Sequence, residues 1–187
     1  MTGKPPVADL IVGLAERIGV PAFVAVCTDL MGGADREQYV EELRGLTGHD
    51  WHPGDGVLDR DVWHDYWVRT WGARGLLHVW DDSASAAVVT GLADEHWRPA
   101  EMCLKVTAKH DVAGAGDAAA VLVTHELPRV RAQALRALAV AGDTPHVELV
   151  RDRLEDDDEA VRRHAERALE ALATRLDMEP DRWLPDL

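Results

Sequence analysis

The sequence has few cysteines, no long apolar run and a shortage of positive charge. Its two cysteines, Cys27 and Cys103, are far apart in the sequence, so the chain has no CxxC motif of the kind that binds metals or carries out redox chemistry. Two isolated cysteines favour buried thiols in a reducing cytosol. No run of about 18 apolar residues exists, so no membrane-spanning helix is expected. Charged residues interrupt the first apolar stretch, residues 7–20, so no signal peptide is expected either. These absences predict a cytoplasmic protein.

Acidic side chains outnumber basic ones by 34 to 20, which gives a net charge of −14. Residues 1–64 carry 11 acids and 5 bases, and residues 143–187 carry 14 and 7, whereas residues 65–142 carry 9 and 8. Both ends would repel a phosphate backbone, so nucleic-acid binding is disfavoured, although a local basic patch is not excluded. High solubility, or a protein partner with a basic surface, is the simpler interpretation of the charge.

A residue pattern recurs along the chain at a constant interval. Segments beginning at Val68, Val130 and Val161 align without gaps, and a weaker copy begins at Pro99, midway between the first two. Each strong copy places Val, two small residues and Leu at i, i+4, i+7 and i+8, which is one face of a helix. A second helix is predicted after each first one, because apolar residues recur at 88, 119 and 150 and at 92, 123 and 154. Such a fixed period predicts a stacked array of helix pairs.

Turn residues predict where some of these helices begin. Thr144 is predicted to be an N-cap, with Pro145 at the first helical position. Asp82 and Asp158 are predicted to cap their helices in the same way.

The pattern Val-Arg-x-x-Ala-x-x-Ala-Leu, followed by Gly-Asp and a second helix, resembles the HEAT-like repeats of bacterial proteins. The resemblance covers about residues 65–177 and is strongest at 127–172. It implies an all-α fold, a right-handed α-solenoid of HEAT-like helix pairs, whose usual work is protein binding. The segment from Asp65-Tyr66-Trp67-Val68-Arg69 to Trp80-Asp81-Asp82 further resembles HEAT-repeat proteins of actinobacteria whose function is not known.

The resemblance also implies a role for the arginine that follows the valine, which commonly bonds an acid in an adjacent repeat. Three residues match this pattern and are interpreted as structural: Arg69, Arg131 and Arg162. Ala100 departs from it, so the second repeat either uses Arg98 instead or is looser there.

The chain of 187 residues is expected to form one domain. Three parts are predicted: N-terminal helices and a loop over residues 6–58, repeats over residues 61–177, and a tail over residues 178–187. Within the first part, the pattern predicts helices at 6–19, 21–31 and 35–46 and an irregular loop at 48–58. These helices are either degenerate repeats or a cap over the open end of the array.

Tryptophans replace other residue types in the first repeat, and four of them are candidate binding residues. Trp67 and Trp71 occupy columns that are largely polar in the later repeats, so these columns are expected to face outward. Trp63 lies four residues before Trp67, which predicts one stripe on one helix, and Trp51 lies in the loop. Either the N-terminal helices and the loop cover the stripe, or it lines a groove that anchors a partner or ligand.

Other chemistry is weakly represented. His49, Asp50 and His52, with His64 further on, match no established metal-site spacing, so no metal or cofactor is expected. HEAT-type deoxyhypusine hydroxylases carry several His-Glu pairs, whereas His125-Glu126 is the single match here. HEAT-like DNA glycosylases use Trp and Asp beside a positive groove, which Trp67 and Asp65 resemble only in part.

The sequence therefore predicts a non-catalytic scaffold that binds another protein. The alternatives are a small-molecule-binding protein or enzyme with a tryptophan-lined pocket near residues 51–80, and a HEAT-like DNA glycosylase. The acidic run at 155–159 is expected to be a solvated turn or a docking patch for a basic partner.

Overall fold

The computed structural model describes residues 5–52, 56 and 59–178, and every regular element in these residues is helical. The predicted all-α class is therefore confirmed. The α-helices, in chain order, are α1 (Val7–Ile18), α2 (Val20–Met31), α3 (Val40–Thr47), α4 (Asp65–His78), α5 (Ser85–Gly91), α6 (Trp97–His110), α7 (Gly116–Val121), α8 (Pro128–Ala141), α9 (Val147–Arg151) and α10 (Glu159–Arg175). Most of the predicted tail, from residue 179 onward, and residues 53–55, 57 and 58 of the predicted loop lie outside the described residues.

The chain forms two compact units, residues 1–102 and 103–187. In the first unit, α4 packs on α2 and α3, and α1 packs on the same two helices. The three helices predicted for the N-terminal part are present, and a 3-10 turn at Arg36–Tyr39 leads into α3. In the second unit, α8 packs between α7 and α10, and α9 packs on α10.

The predicted constant interval of the repeat is confirmed by the positions of the helices. The second helices α5, α7 and α9 begin at residues 85, 116 and 147, and the first helices α6, α8 and α10 begin at 97, 128 and 159. Both series are evenly spaced and have the same spacing. The aligned valines of the first helices are buried, as are the first aligned positions of the second helices: Val68, Val130, Val161, Val88, Ala119 and Val150. The recurring columns are therefore the apolar core.

Helix caps lie within one residue of the predicted positions. Asp158 caps α10 as predicted, because its carboxylate accepts hydrogen bonds from two backbone N–H groups of the first turn. Asp143, and not Thr144, caps the turn before α9, and Asp81, and not Asp82, caps the turn before α5. Both of these residues still have an extended backbone, which an N-cap needs in order to turn its carboxylate back onto the helix.

Neither of the first two helices is long enough to cross a membrane by itself. Among the described residues, no single helix passes a test of length and apolar composition for a membrane span, and α1 and α2 pass it only as a pair bent by 119°. Both helices contribute residues to the core of the first unit, including Ile11 and Phe23.

Two glycines bring α4 unusually close to α2. A Cβ atom built on Gly72 would lie 2.6 Å from the backbone oxygen of Cys27, and a Cβ on Gly75 would also collide with Cys27. The small residues at i+4 and i+7 of this repeat therefore allow a neighbouring helix to approach closely. The contact buries Cys27 completely, and this burial raises the pKa of its thiol, so the thiol is unreactive at neutral pH.

Two of the repeat arginines form ion pairs between the first helix of a repeat and the turn that precedes the first helix of the next repeat. Arg69 donates to both carboxylate oxygens of Asp94, at 2.6 and 2.9 Å. Arg131 makes the same bidentate pair with Asp156, at 2.8 and 2.7 Å. Each aspartate also accepts the backbone N–H two residues later, so the pair holds the turn as well as the helix. Arg162 donates to the carbonyl oxygens of residues 156 and 157, just before its own helix.

The repeat that lacks the arginine also lacks the aspartate. Ala100 occupies the arginine column, and His125 stands in the aspartate column, midway along the sequence between Asp94 and Asp156. The Nδ1 atom of His125 accepts the N–H of Leu127 at 3.0 Å, which is the turn bond that the aspartates make elsewhere. An imidazole nitrogen can replace the carboxylate as acceptor here because no cation occupies the arginine position. Of the two alternatives for this repeat, Arg98 does not take the role of the missing arginine, because its guanidinium contacts the rings of Trp67 and Trp97 and forms no ion pair among the described residues.

We expect Gly72→Ala to lower the free energy of unfolding by about 1–3 kcal/mol, because the added methyl group requires the backbone of α2 to move. Gly13 is the matched control, since it is exposed on α1 and no described atom lies within 4 Å of its Cβ position. Gly13→Ala is expected to raise the free energy of unfolding by roughly 0.4–1 kcal/mol. Urea denaturation followed by circular dichroism measures the free energy of unfolding of both variants. An equal increase in this free energy for Gly72→Ala and Gly13→Ala would contradict the close approach of α4 to α2.

Arg131→Gln removes the bidentate partner of the Asp156 carboxylate, whose side chain is 4% exposed, and leaves it only the longer contact with Arg153 at 3.9 Å. We expect a loss of roughly 3 kcal/mol of unfolding free energy at pH 7, the lower end of the range for a broken buried pair. The control is Arg163→Gln, which removes an exposed pair with Glu159 and should cost about 0.5 kcal/mol or less.

The difference in unfolding free energy between wild type and Arg131→Gln is expected to depend on pH. The hydrogen bond from Arg131 lowers the pKa of Asp156 below its ordinary value of 3.8. The contribution of the pair is therefore fully present above that pH, and it is lost as the pH falls through the lowered pKa. Urea titrations of wild type and Arg131→Gln should converge as the pH falls below about 4. A constant difference in acid would show that the ion pair is not its source.

Candidate functional site

The four candidate tryptophans lie together in the first unit, but they differ in exposure. Trp51 and Trp71 are buried, at 8% and 5% exposure, whereas Trp63 and Trp67 are half-buried. Trp63 is not on α4, so the prediction of one helical stripe is wrong at this position. Its N–H donates to the carbonyl oxygen of Asp59, and its own carbonyl oxygen accepts from the buried guanidinium of Arg36, so its backbone belongs to the preceding turn.

Trp51 covers Trp71 because the end of α3 holds it in place. Its indole Nε1 donates to the hydroxyl of Thr47 at 3.0 Å, and the same hydroxyl donates to the carbonyl oxygen of Leu43 at 2.6 Å. The guanidinium of Arg44 donates to the Trp51 carbonyl oxygen. The interpretation that the N-terminal helices and the loop cover the stripe therefore holds for Trp71, which is buried, but not for Trp67, which is half-buried.

The tryptophan rings pack on one another. Ring centroids lie 5.5 Å apart for Trp51 and Trp63, 5.4 Å for Trp63 and Trp71, and 6.4 Å for Trp67 and Trp71. These are ordinary distances for offset and edge-to-face aromatic contacts. The four candidate tryptophans therefore form one aromatic cluster.

A second group of aromatic residues continues from Trp67. The ring centroids of Tyr66 and Trp67 lie 5.4 Å apart. The ring of Tyr66 stacks on that of His96, with a centroid distance of 3.7 Å and an angle of 4° between the ring planes. His96 in turn lies 5.8 Å from Trp97. His96 is held there because Asp94, paired with Arg69, accepts the backbone N–H of His96 at 2.8 Å. The structural ion pair of the first repeat therefore positions this group.

Arg98 completes the group. Its guanidinium carbon lies 4.3 Å from the ring centroid of Trp97, 4.8 Å from that of Trp67 and 5.9 Å from that of Tyr66. The half-buried residues Tyr66, Trp67, His96, Trp97 and Arg98 are called the aromatic–arginine surface below. Among the described residues, Arg98 forms no ion pair, and no atom accepts a hydrogen bond from the indole of Trp67.

The chemistry of this surface combines apolar area with an oriented cation. Rings that contact the flat face of a guanidinium leave its N–H edges free to donate to a carboxylate or carbonyl oxygen. Burial is the main cause that lowers the pKa of His96, and the charge of Arg98 is the second. The imidazole is therefore neutral at pH 7. Its Nδ1 accordingly accepts the backbone N–H of Arg98 at 3.2 Å.

Sequence reasoning missed four of these five residues. Arg98 stands one repeat after Trp67, so the column comparison already placed a cation and an indole at equivalent positions of successive repeats. No comparable signal pointed to Tyr66 or His96, because their stacking depends on the turn that Asp94 holds. The expectation that the Trp71 column faces outward is also wrong at Gln133, which is 5% exposed because neighbouring helices pack on that part of α8.

The other residues considered for chemistry have structural partners. Asp65 is paired with Arg36 and, at 3.3 Å, with Arg60, so Trp67 and Asp65 do not form a free tryptophan–carboxylate site. His49 lies against the ring of Trp51 with centroids 4.9 Å apart. No group of three or more His, Cys, Asp or Glu side chains in the described part of the chain is arranged to hold a metal ion.

The acidic run at 155–159 is partly used by the fold. Asp156 is buried in its pair with Arg131, and Asp158 caps α10. Glu159 pairs with Arg163 at 2.8 Å. Glu155, Asp157 and Glu159 are exposed, and they alternate with the two acids that the fold uses.

Comparison with known proteins agrees with this architecture. Residues 117–181 match the family model described as HEAT repeats, a span that begins in α7 and includes α8, α9 and α10. No curated protein matches the chain. The family match assigns HEAT repeats to residues 117–181, and the helix pairs that precede this span begin at the same constant interval.

Proposed function

We propose that this protein is a non-catalytic scaffold that binds another protein through the aromatic–arginine surface. HEAT repeats commonly serve as protein-interaction scaffolds. The observation that carries the proposal is Arg98, which lies over three half-buried aromatic rings without a carboxylate partner among the described residues. Tryptophan, tyrosine and arginine are the residue types that dominate the binding energy of protein interfaces.

The surface suits a protein partner better than a small molecule. Its rings lie side by side along the start of α4 and the start of α6, so they offer area for apolar side chains. The tryptophans that face inward, Trp51 and Trp71, pack on each other and on Trp63. A cytoplasmic location is part of the proposal, since both cysteines are buried free thiols.

The test is affinity capture from cytosol with tagged full-length protein, read by quantitative mass spectrometry. Trp67→Ala and Arg98→Gln are each expected to reduce recovery of the specific partners, because loss of one anchor residue commonly weakens binding by about tenfold or more. Titration calorimetry with the recovered partner then measures the change in Kd.

The matched control is Val121→Ala, which truncates a side chain that is 73% exposed on α7. It should leave partner recovery unchanged, and circular dichroism should show all three variants folded. A partner set that is the same for wild type, Trp67→Ala and Arg98→Gln would remove this surface from the proposal.

A further inference from the structure

The second unit contains a cleft of about 440 Å³ against α8 and α10. It is named the basic cleft below, and its lining residues are Ala108, Arg136, Ala139, His164, Arg167 and Ala168. The three alanines give it an apolar floor, and every polar side chain in its lining is a base. In a chain with 34 acids and 20 bases, a cleft without a carboxylate is unexpected.

The arginines of the basic cleft lack the acidic partners that other arginines of the chain have. Arg136 donates to the neutral Oε1 atom of Gln133 at 3.3 Å, and Arg167 forms no ion pair within the described residues. By contrast, Arg131 and Arg163 in the same two helices pair with carboxylates. No acid in the described part of the chain therefore forms an ion pair with the two guanidinium groups of the cleft.

The local field at His164 is positive. Its pKa is lowered by burial and then by the charges of Arg136, Arg167 and Arg163, and no carboxylate counteracts them. The basic residue also recurs with the repeat, since Arg74, Lys105, Arg136 and Arg167 follow one another at the repeat interval. A base in every copy of this column is a property of the repeat and not of a single helix.

We propose that the basic cleft binds a short acidic segment of a partner protein, whose Asp or Glu carboxylates accept hydrogen bonds from Arg136 and Arg167. Guanidinium groups bind carboxylates with two parallel hydrogen bonds, and the short apolar stems of such side chains fit against alanine. The inference rests on the proposed function in that the partner is a protein, but it concerns a different surface.

The distribution of charge also favours a short acidic protein segment over a nucleic acid as the ligand of the basic cleft. Charges are screened beyond about 8 Å at physiological ionic strength, so a few carboxylates inside the cleft experience its arginines. A duplex carries one phosphate charge per about 1.7 Å of its axis, so most of its charge would lie beyond the cleft. That charge would face a protein of net charge −14. The cleft therefore favours a short segment with a few acids.

The test is fluorescence anisotropy of a labelled peptide with four consecutive glutamates, added to the full-length protein at low ionic strength. We expect saturable binding that Arg136→Gln/Arg167→Gln weakens by about tenfold or more for each arginine lost. The control is Arg17→Gln/Arg60→Gln, which removes the same charge from two exposed positions and should bind as wild type does. The ring resonances of His164, assigned with His164→Gln, should shift when the peptide binds.

Three results would overturn the inference. These are no peptide binding at low ionic strength, equal binding by the two double variants, and tighter binding of a short labelled DNA duplex that also depends on Arg136 and Arg167. The last would make the cleft a nucleic-acid site. Failure here is distinct from failure of the proposed function, because the peptide assay does not depend on Trp67 or Arg98.

Discussion

An arginine of a first helix makes a bidentate pair with the aspartate in the turn before the next first helix. This ion pair fixes how one helix pair connects to the next. In the Arg69–Asp94 and Arg131–Asp156 pairs, the aspartate accepts from the guanidinium and also from the backbone N–H two residues on. One carboxylate thus fixes a helix and the turn that begins the next repeat. Where the arginine is replaced by Ala100, the aspartate is replaced by His125, which retains only the turn bond.

The aromatic–arginine surface is a consequence of that pair in the first repeat. Asp94 holds the backbone of His96, so His96 stacks on Tyr66, and the next residues place Trp97 and Arg98 beside Trp67. The side chains proposed to bind a partner are therefore oriented by a structural ion pair. A surface built on helix starts and a fixed turn loses little conformational entropy when a partner binds.

The structure gives individual roles to acidic residues that the sequence only counts. Acids serve as partners and caps, as Asp94, Asp156 and Asp158 do, whereas the two arginines of the basic cleft have no carboxylate partner among the described residues. The sequence interpretation of a basic partner follows from net charge, which averages over the whole surface. Recognition depends on local fields, because screening limits each charge to its own neighbourhood.

The amino-acid sequence alone is sufficient to predict the helix-pair repeat, its constant interval and the columns that form the core, because these follow from local periodicity that recurs along the chain. It also identified Arg69, Arg131 and Arg162 and the tryptophans as exceptional positions. Three features are visible only in the folded chain. Trp51 and Trp71 are buried while Trp67 is half-buried, Tyr66 stacks on His96, and Arg136, His164 and Arg167 line one cleft. The exposure of a side chain depends on which distant segments pack against it, and no periodicity within one helix records that.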